Sequence, residues 1–166
     1  MARLPNPADG RSSLISLTAS GVALVTEAER KGVRIVLPRD HVVASAPEAG
    51  ALGRIVTDIP GDLMGLDIGP ATTEQFTSEI ARAKTVVWNG PLGFFELPEF
   101  AHGTLAVGEA LANLDGVRSI IGGGDTAAAV ARMPWASRFT HISTGGGATL
   151  EYLEGRVLPG VKALES

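Results

Sequence analysis

Ile120-Ile121-Gly122-Gly123-Gly124-Asp125-Thr126-Ala127-Ala128-Ala129-Val130 joins a short apolar run to an alanine-rich stretch through three consecutive glycines. The apolar run suits a strand, the alanines favour helix, and glycine turns tightly between them without steric cost. Such a turn lets the backbone approach a phosphate closely. The free amides and positive dipole end of the following helix then attract its charge. Asp125 can cap that helix, and Thr126 can donate a hydroxyl. The plainer alternative is a tight strand-to-helix turn with an Asp N-cap and no ligand.

The alternation extends on the amino-terminal side. Residues 118–121 and Thr85-Val86-Val87-Trp88 read as strands. Val107, Ala110, Leu111 and Leu114 fall at helical spacing between them, and Thr73, Phe76, Ile80 and Ala83 mark a further helix over 72–83. Residues 33–38, 42–44 and 54–59 have the apolar, β-branched look of strands, and a helix over 18–31 stops at Gly32. This order predicts a Rossmann-like three-layer α/β/α fold with a mostly parallel sheet, whose ligands lie beyond the carboxyl ends of its strands. Pro5, Pro7 and Asp9-Gly10 mark residues 1–20 as an irregular leader. Residues 21–166 then read as one domain.

The 166 residues are enough for one domain burying roughly 68–70% of its unfolded surface. With 14 Lys and Arg against 18 Asp and Glu, the net charge is −4, without the cationic excess that neutralising a nucleic-acid backbone requires. The chain has no cysteine, which excludes disulfides, thiolate zinc sites and a thiol nucleophile. No apolar run approaches the roughly 20 residues of a membrane span, and a cytoplasmic location is expected.

Two further glycine segments follow apolar runs. Residues 139–151 contain His141-Ile142-Ser143-Thr144-Gly145-Gly146-Gly147-Ala148 and repeat the strand, glycine and helix design, so two helix starts could converge on one anion. His141 is expected to be a packed, structural residue. In Trp88-Asn89-Gly90-Pro91-Leu92-Gly93-Phe94-Phe95-Glu96, Asn89-Gly90-Pro91 turns the chain. Two Phe beside Glu96 suit a nucleoside, an apolar ring joined to a polar sugar. Gly122-x-Gly124-x-x-Ala127 also matches a dinucleotide fingerprint, which would imply an oxidoreductase. Against this, Asp125 would repel a bare pyrophosphate, and no ribose-binding acid stands about 20 residues on. A magnesium-bound polyphosphate suits Asp125 better. Neither a Walker P-loop nor a G-x-S-x-G elbow is present.

Together with Met64-Gly65-Leu66-Asp67-Ile68-Gly69-Pro70, these segments closely resemble the carboxyl-terminal half of the phosphoglycerate kinases, in unbroken order from about Glu27 to Leu164. The resemblance implies phosphoryl transfer between 1,3-bisphosphoglycerate and magnesium ADP in glycolysis, giving ATP and 3-phosphoglycerate. By that likeness Gly123, Gly124, Asp125 and Thr126 contact the phosphates, with Asp125 toward the metal. Glu96 would meet the ribose; Gly65, Leu66 and Gly93 would form the base pocket; Asn89 would lie near the phosphate chain. Gly145, Gly146 and Gly147 would face the transferring group, with Gly123 and Gly146 as the catalytic positions. The family's phosphoglycerate-binding domain and its glycine-and-lysine segment have no counterpart here. The expectation is therefore a partial domain with an incomplete sheet edge, inactive alone, open to an oligomer or a partner chain. A noncatalytic nucleotide-binding module is the alternative.

Overall fold

The computed structural model describes residues 19–131 and 133–164, so the irregular leader expected over 1–20 lies outside the described residues except for Ala19 and Ser20, which begin a helix. Helix α1 (Ala19–Arg30) ends as expected at Gly32, which adopts φ +70°, while the Val33 amide bonds back to the Ala28 carbonyl. The strand expected over 33–38 does not form. That segment pairs with no strand among the described residues, and Val33, Ile35 and Leu37 are exposed. An apolar run becomes a strand only when a neighbour accepts its backbone hydrogen bonds.

Three short strands follow: β1 (His41–Ala44), β2 (Arg54–Val56) and β3 (Met64–Ile68). They form an antiparallel sheet in the order β2-β1-β3, with His41 opposite Val56 and Ile68 and an irregularity between Val42 and Val43. The predicted parallel sheet did not anticipate this unit. Its cause is connection length, because the segments joining these strands are too short for a crossover, which takes a dozen residues or more.

The remaining strands, β4 (Thr85–Asn89), β5 (Arg118–Gly122) and β6 (His141–Ser143), form a parallel sheet in the order β4-β5-β6. Asn89, Gly122 and Ser143 lie in register at its carboxyl end. The connections are α3 (His102–Ala112) and α4 (Gly124–Ala131), giving two successive βαβ units of a Rossmann-like α/β fold. Trp88 and Ile121 point from the sheet into a core with Leu111, Val130 and Phe139, and Trp135 meets Phe139 edge to face.

Helix α2 (Pro70–Ile80) packs on α3 and links the two sheets. Its first turn is held by buried Asp40, whose carboxylate accepts from the Thr72 and Ala71 amides at 2.7 and 3.0 Å and from the Thr72 hydroxyl at 2.6 Å. A smaller core of Ala44, Leu66 and Phe100 lies under the antiparallel sheet; Phe100 closes the one-turn helix Pro98–Phe100.

Candidate functional site

The carboxyl edge of the parallel sheet is where the glycine segments meet. Strand β5 runs through Gly122 into Gly123, which adopts φ +97°, and α4 begins at Gly124. Asp125 therefore lies within the first turn of the helix and not at its N-cap, because the left-handed Gly123 starts the helix two residues earlier than expected. Its carboxylate is exposed beside the unpaired amides that any helix start presents. Strand β6 leads through Gly145, the N-cap residue, into α5 (Gly146–Leu153).

The two helix starts converge. A Cβ on Gly146 would lie 2.8 Å from the Gly123 Cα and 2.8 Å from the Asn89 side-chain oxygen, and one on Gly123 would meet the same oxygen at 2.8 Å. The Gly123 amide donates to the Ser143 carbonyl at 3.1 Å, which ties the two turns together. Three residues expected near the phosphate chain, Asn89, Gly123 and Gly146, thus share one point. Only glycine fits at two of them.

Thr126 is wholly buried, and its Oγ1 accepts the Gly90 amide at 2.7 Å. Its hydroxyl is an anchor for the loop after β4 more than a group held open to solvent. That loop is tied down along its length: the Trp88 indole donates to the Gly90 carbonyl at 2.7 Å, the Leu92 amide to Thr104 Oγ1 at 3.0 Å, and the Phe94 amide to the Leu66 carbonyl at 2.7 Å. It therefore runs from the glycine turn at α4, past α3, to strand β3.

At its far end the loop reaches strand β3, where Phe94 bonds Leu66 and Gly93 lies against Asp67; of the three residues expected in a base pocket, Gly65 instead packs toward Ile59. Leu66 is buried, Phe94 and Phe95 are partly buried, and Glu96 is exposed on the following turn. One anchored loop thus joins the glycine turns of the parallel sheet to strand β3. Gly147 lies one residue into α5, with Gly145 before it. His141 is exposed, not packed as expected, since it lies on the edge strand β6.

Two residues that organise this site were not singled out from the sequence. Thr104 is wholly buried in α3, three residues before Val107 on the same helical face. Asp67 is 4% exposed and receives the Ile68 amide at 2.8 Å and the Gly103 amide at 2.9 Å. A carboxylate inside the apolar run Gly65-Leu66-Asp67-Ile68 was the available signal. Burial pushes its carboxyl up to about 6, against the opposing effect of those amides and of His102.

A sequence model of the phosphoglycerate kinases, described as "Phosphoglycerate kinase", matches residues 13–156. The chain is 52% identical over 147 residues to the phosphoglycerate kinase of Chlorobaculum tepidum, covering 86% of this chain and 37% of that protein. It is 55% identical over 134 residues to that of Lactobacillus delbrueckii subsp. lactis, covering 80% and 33%. Among solved structures, the phosphoglycerate kinase from Coxiella burnetii superposes with a TM-score of 0.79 at 36% identity, over 86% of this chain and 37% of that one. The enzyme from Pyrococcus horikoshii OT3 gives 0.72 at 32%, over 88% and 35%. The chain spans roughly a third of the length of these relatives. By fold, motif order and matched span, the chain belongs to the phosphoglycerate kinase family.

Proposed function

We propose that this chain is the nucleotide-holding part of a phosphoglycerate kinase, taking magnesium ADP or ATP at the carboxyl edge of the parallel sheet. The observation that carries the proposal is the meeting of two helix starts, α4 and α5, at Gly123 and Gly146. One exposed helix start contributes only about 0.3–1 kcal/mol toward an anion. Two aimed at one point, with an adjacent cation, make a polyphosphate site.

Gly123, Gly124 and Thr126 supply the backbone of the α4 turn to the phosphates. Asn89 approaches the phosphate chain, and Gly145, Gly146 and Gly147 face the group in transfer. Positioned amides of this kind stabilise charge on a transferring phosphoryl group without reorganising. Gly65, Leu66 and Gly93 enclose the base, and Glu96 bonds the ribose. Among the described residues no three His, Cys, Asp or Glu cluster as a protein-held metal site. Asp125 alone suits magnesium, which takes one or two carboxylates and completes its shell with phosphate oxygens and water. Held by Asp125 with the nucleotide, such an ion would supply neutralisation of phosphate charge.

The phosphoryl donor, 1,3-bisphosphoglycerate, and the product 3-phosphoglycerate belong to a site completed by an amino-terminal domain. Orienting two substrates can be worth about 7–11 kcal/mol of barrier, so the 166 residues alone are expected to turn over negligibly. The setting is glycolysis in the cytoplasm.

Calorimetric titration with ADP, with and without magnesium, tests the site. The expected result is magnesium-dependent binding that Asp125→Ala weakens at least about tenfold, or about 1.4 kcal/mol. A folded chain that binds no ADP, or binds it equally without magnesium and without Asp125, overturns the proposal. Adding an amino-terminal half to the same protein should restore turnover. Binding with no turnover under that complementation would instead identify a noncatalytic module.

A further inference from the structure

Asp67 holds one place that no expected site residue occupies: the junction of β3, the loop after β4 and the start of α3. Its Oδ2 accepts the Gly103 amide in the first turn of α3, and its Oδ1 accepts the Ile68 amide on its own strand. The same Oδ1 stands where a side chain on Gly93 would begin, together with the Phe100 carbonyl, and lies 2.6 Å from where a Cβ on Gly103 would be. One residue back, the Leu66 carbonyl receives the Phe94 amide.

A buried carboxylate is thus packed against two glycines and bonded to two amides. Its charge faces the positive end of an eleven-residue helix. Three elements meet on it. We infer that Asp67 is a positioning residue for the nucleotide base, fixing the Gly93-Phe94 segment against strand β3 by pinning the start of α3 to that strand. The inference rests on the nucleotide site proposed above and adds to it a residue that touches no ligand. Asn at this position keeps one acceptor but turns an NH2 toward one of the two amides, a donor facing a donor.

Because Asp67 bonds to β3 and the start of α3 and not to the turns at Gly123 and Gly146, its loss should separate base binding from phosphate binding. In the 166-residue chain, Asp67→Asn is expected to weaken adenosine about tenfold while leaving tripolyphosphate within about twofold. Amide exchange at Gly103 and Phe94 should accelerate at least about tenfold, with that of β5 unchanged. Equal losses for both probes, or unaltered exchange at Phe94, would overturn the positioning role.

A second measurement needs no variant. The carboxyl carbon of Asp67 and the amides of Gly103, Gly93 and Phe94 are followed by NMR through its titration near pH 6. His102 on α3 is the titratable neighbour that acts on this carboxyl, whereas His41 on β1 is coupled to Asp40 and Asp58. Gly93 and Phe94 should shift with the midpoint of the Asp67 carboxyl. Flat signals at both, while Gly103 titrates, would show that the carboxylate does not set the loop. If unaltered chain binds no adenosine, the nucleotide proposal fails, and the exchange and NMR arms still decide what Asp67 holds.

Discussion

Asp67 and Asp40 are both buried carboxylates, and their surroundings drive them in opposite directions. Burial raises Asp67 to about 6, only partly offset by amides and His102. At Asp40 burial also raises the carboxyl, but the Thr72 hydroxyl and the Ala71 and Thr72 amides outweigh it and hold the group below the ordinary range. The signs of their pH effects follow. A carboxyl raised in the folded chain binds its proton more tightly there than in the unfolded chain. The folded state therefore gains relative stability as pH falls from about 6 toward 4, by at most about 3 kcal/mol. Asp40 acts lower, losing its stabilising effect only as pH falls below the ordinary carboxylate value. Urea midpoints between pH 7 and 4.5 should show the Asp67 contribution, and Asp67→Asn should remove it. An identical pH slope in the variant would refute this account.

Among the elements, the decisive contact is between the starts of α4 and α5. Gly146 has no room for a side chain because Gly123 backbone and the Asn89 side chain already stand there. Backbone cannot swing aside as a flexible side chain can. Gly146→Ala is expected to destabilise the chain by about 1–3 kcal/mol through overpacking. It should also weaken tripolyphosphate more than adenosine, the reverse of Asp67→Asn. Urea unfolding and the two titrations measure this, and a variant with unchanged stability and phosphate binding would show that the helix starts do not meet as described. The anchored loop from Gly90 to Phe94 explains why changes at its two ends remain separable: it is held independently by Thr126, Thr104 and Leu66.

Across the whole molecule, apolar surface is unevenly distributed. Val33, Ile35 and Leu37 after α1 are exposed, as are Val87 on the edge strand β4 and Leu150 and Leu153 on α5. Strand β4 has no partner on its outer side among the described residues. An unpaired strand edge beside exposed apolar side chains favours pairing with another chain. We expect the mass measured by light scattering to exceed that of one chain and to rise with concentration. A single-chain mass throughout the accessible range would count against association through this edge.

The sequence by itself determined the α/β class, the two strand-glycine-helix units and the family, because glycine turns, helical spacing and motif order are local properties of the chain. Gly123 and Gly146 were legible as glycine turns at helix starts for that reason. The tertiary structure decided the rest. It left 33–38 without a strand, since pairing needs a neighbour that local composition does not supply. It made β1, β2 and β3 antiparallel and moved Asp125 inside the first turn of α4. It buried the Thr126 hydroxyl under Gly90 and set Asp67 among Gly93, Gly103 and Ile68. Each of these depends on what residues distant in the chain place beside a group, and burial, hydrogen-bond partners and available volume are fixed only once those residues meet.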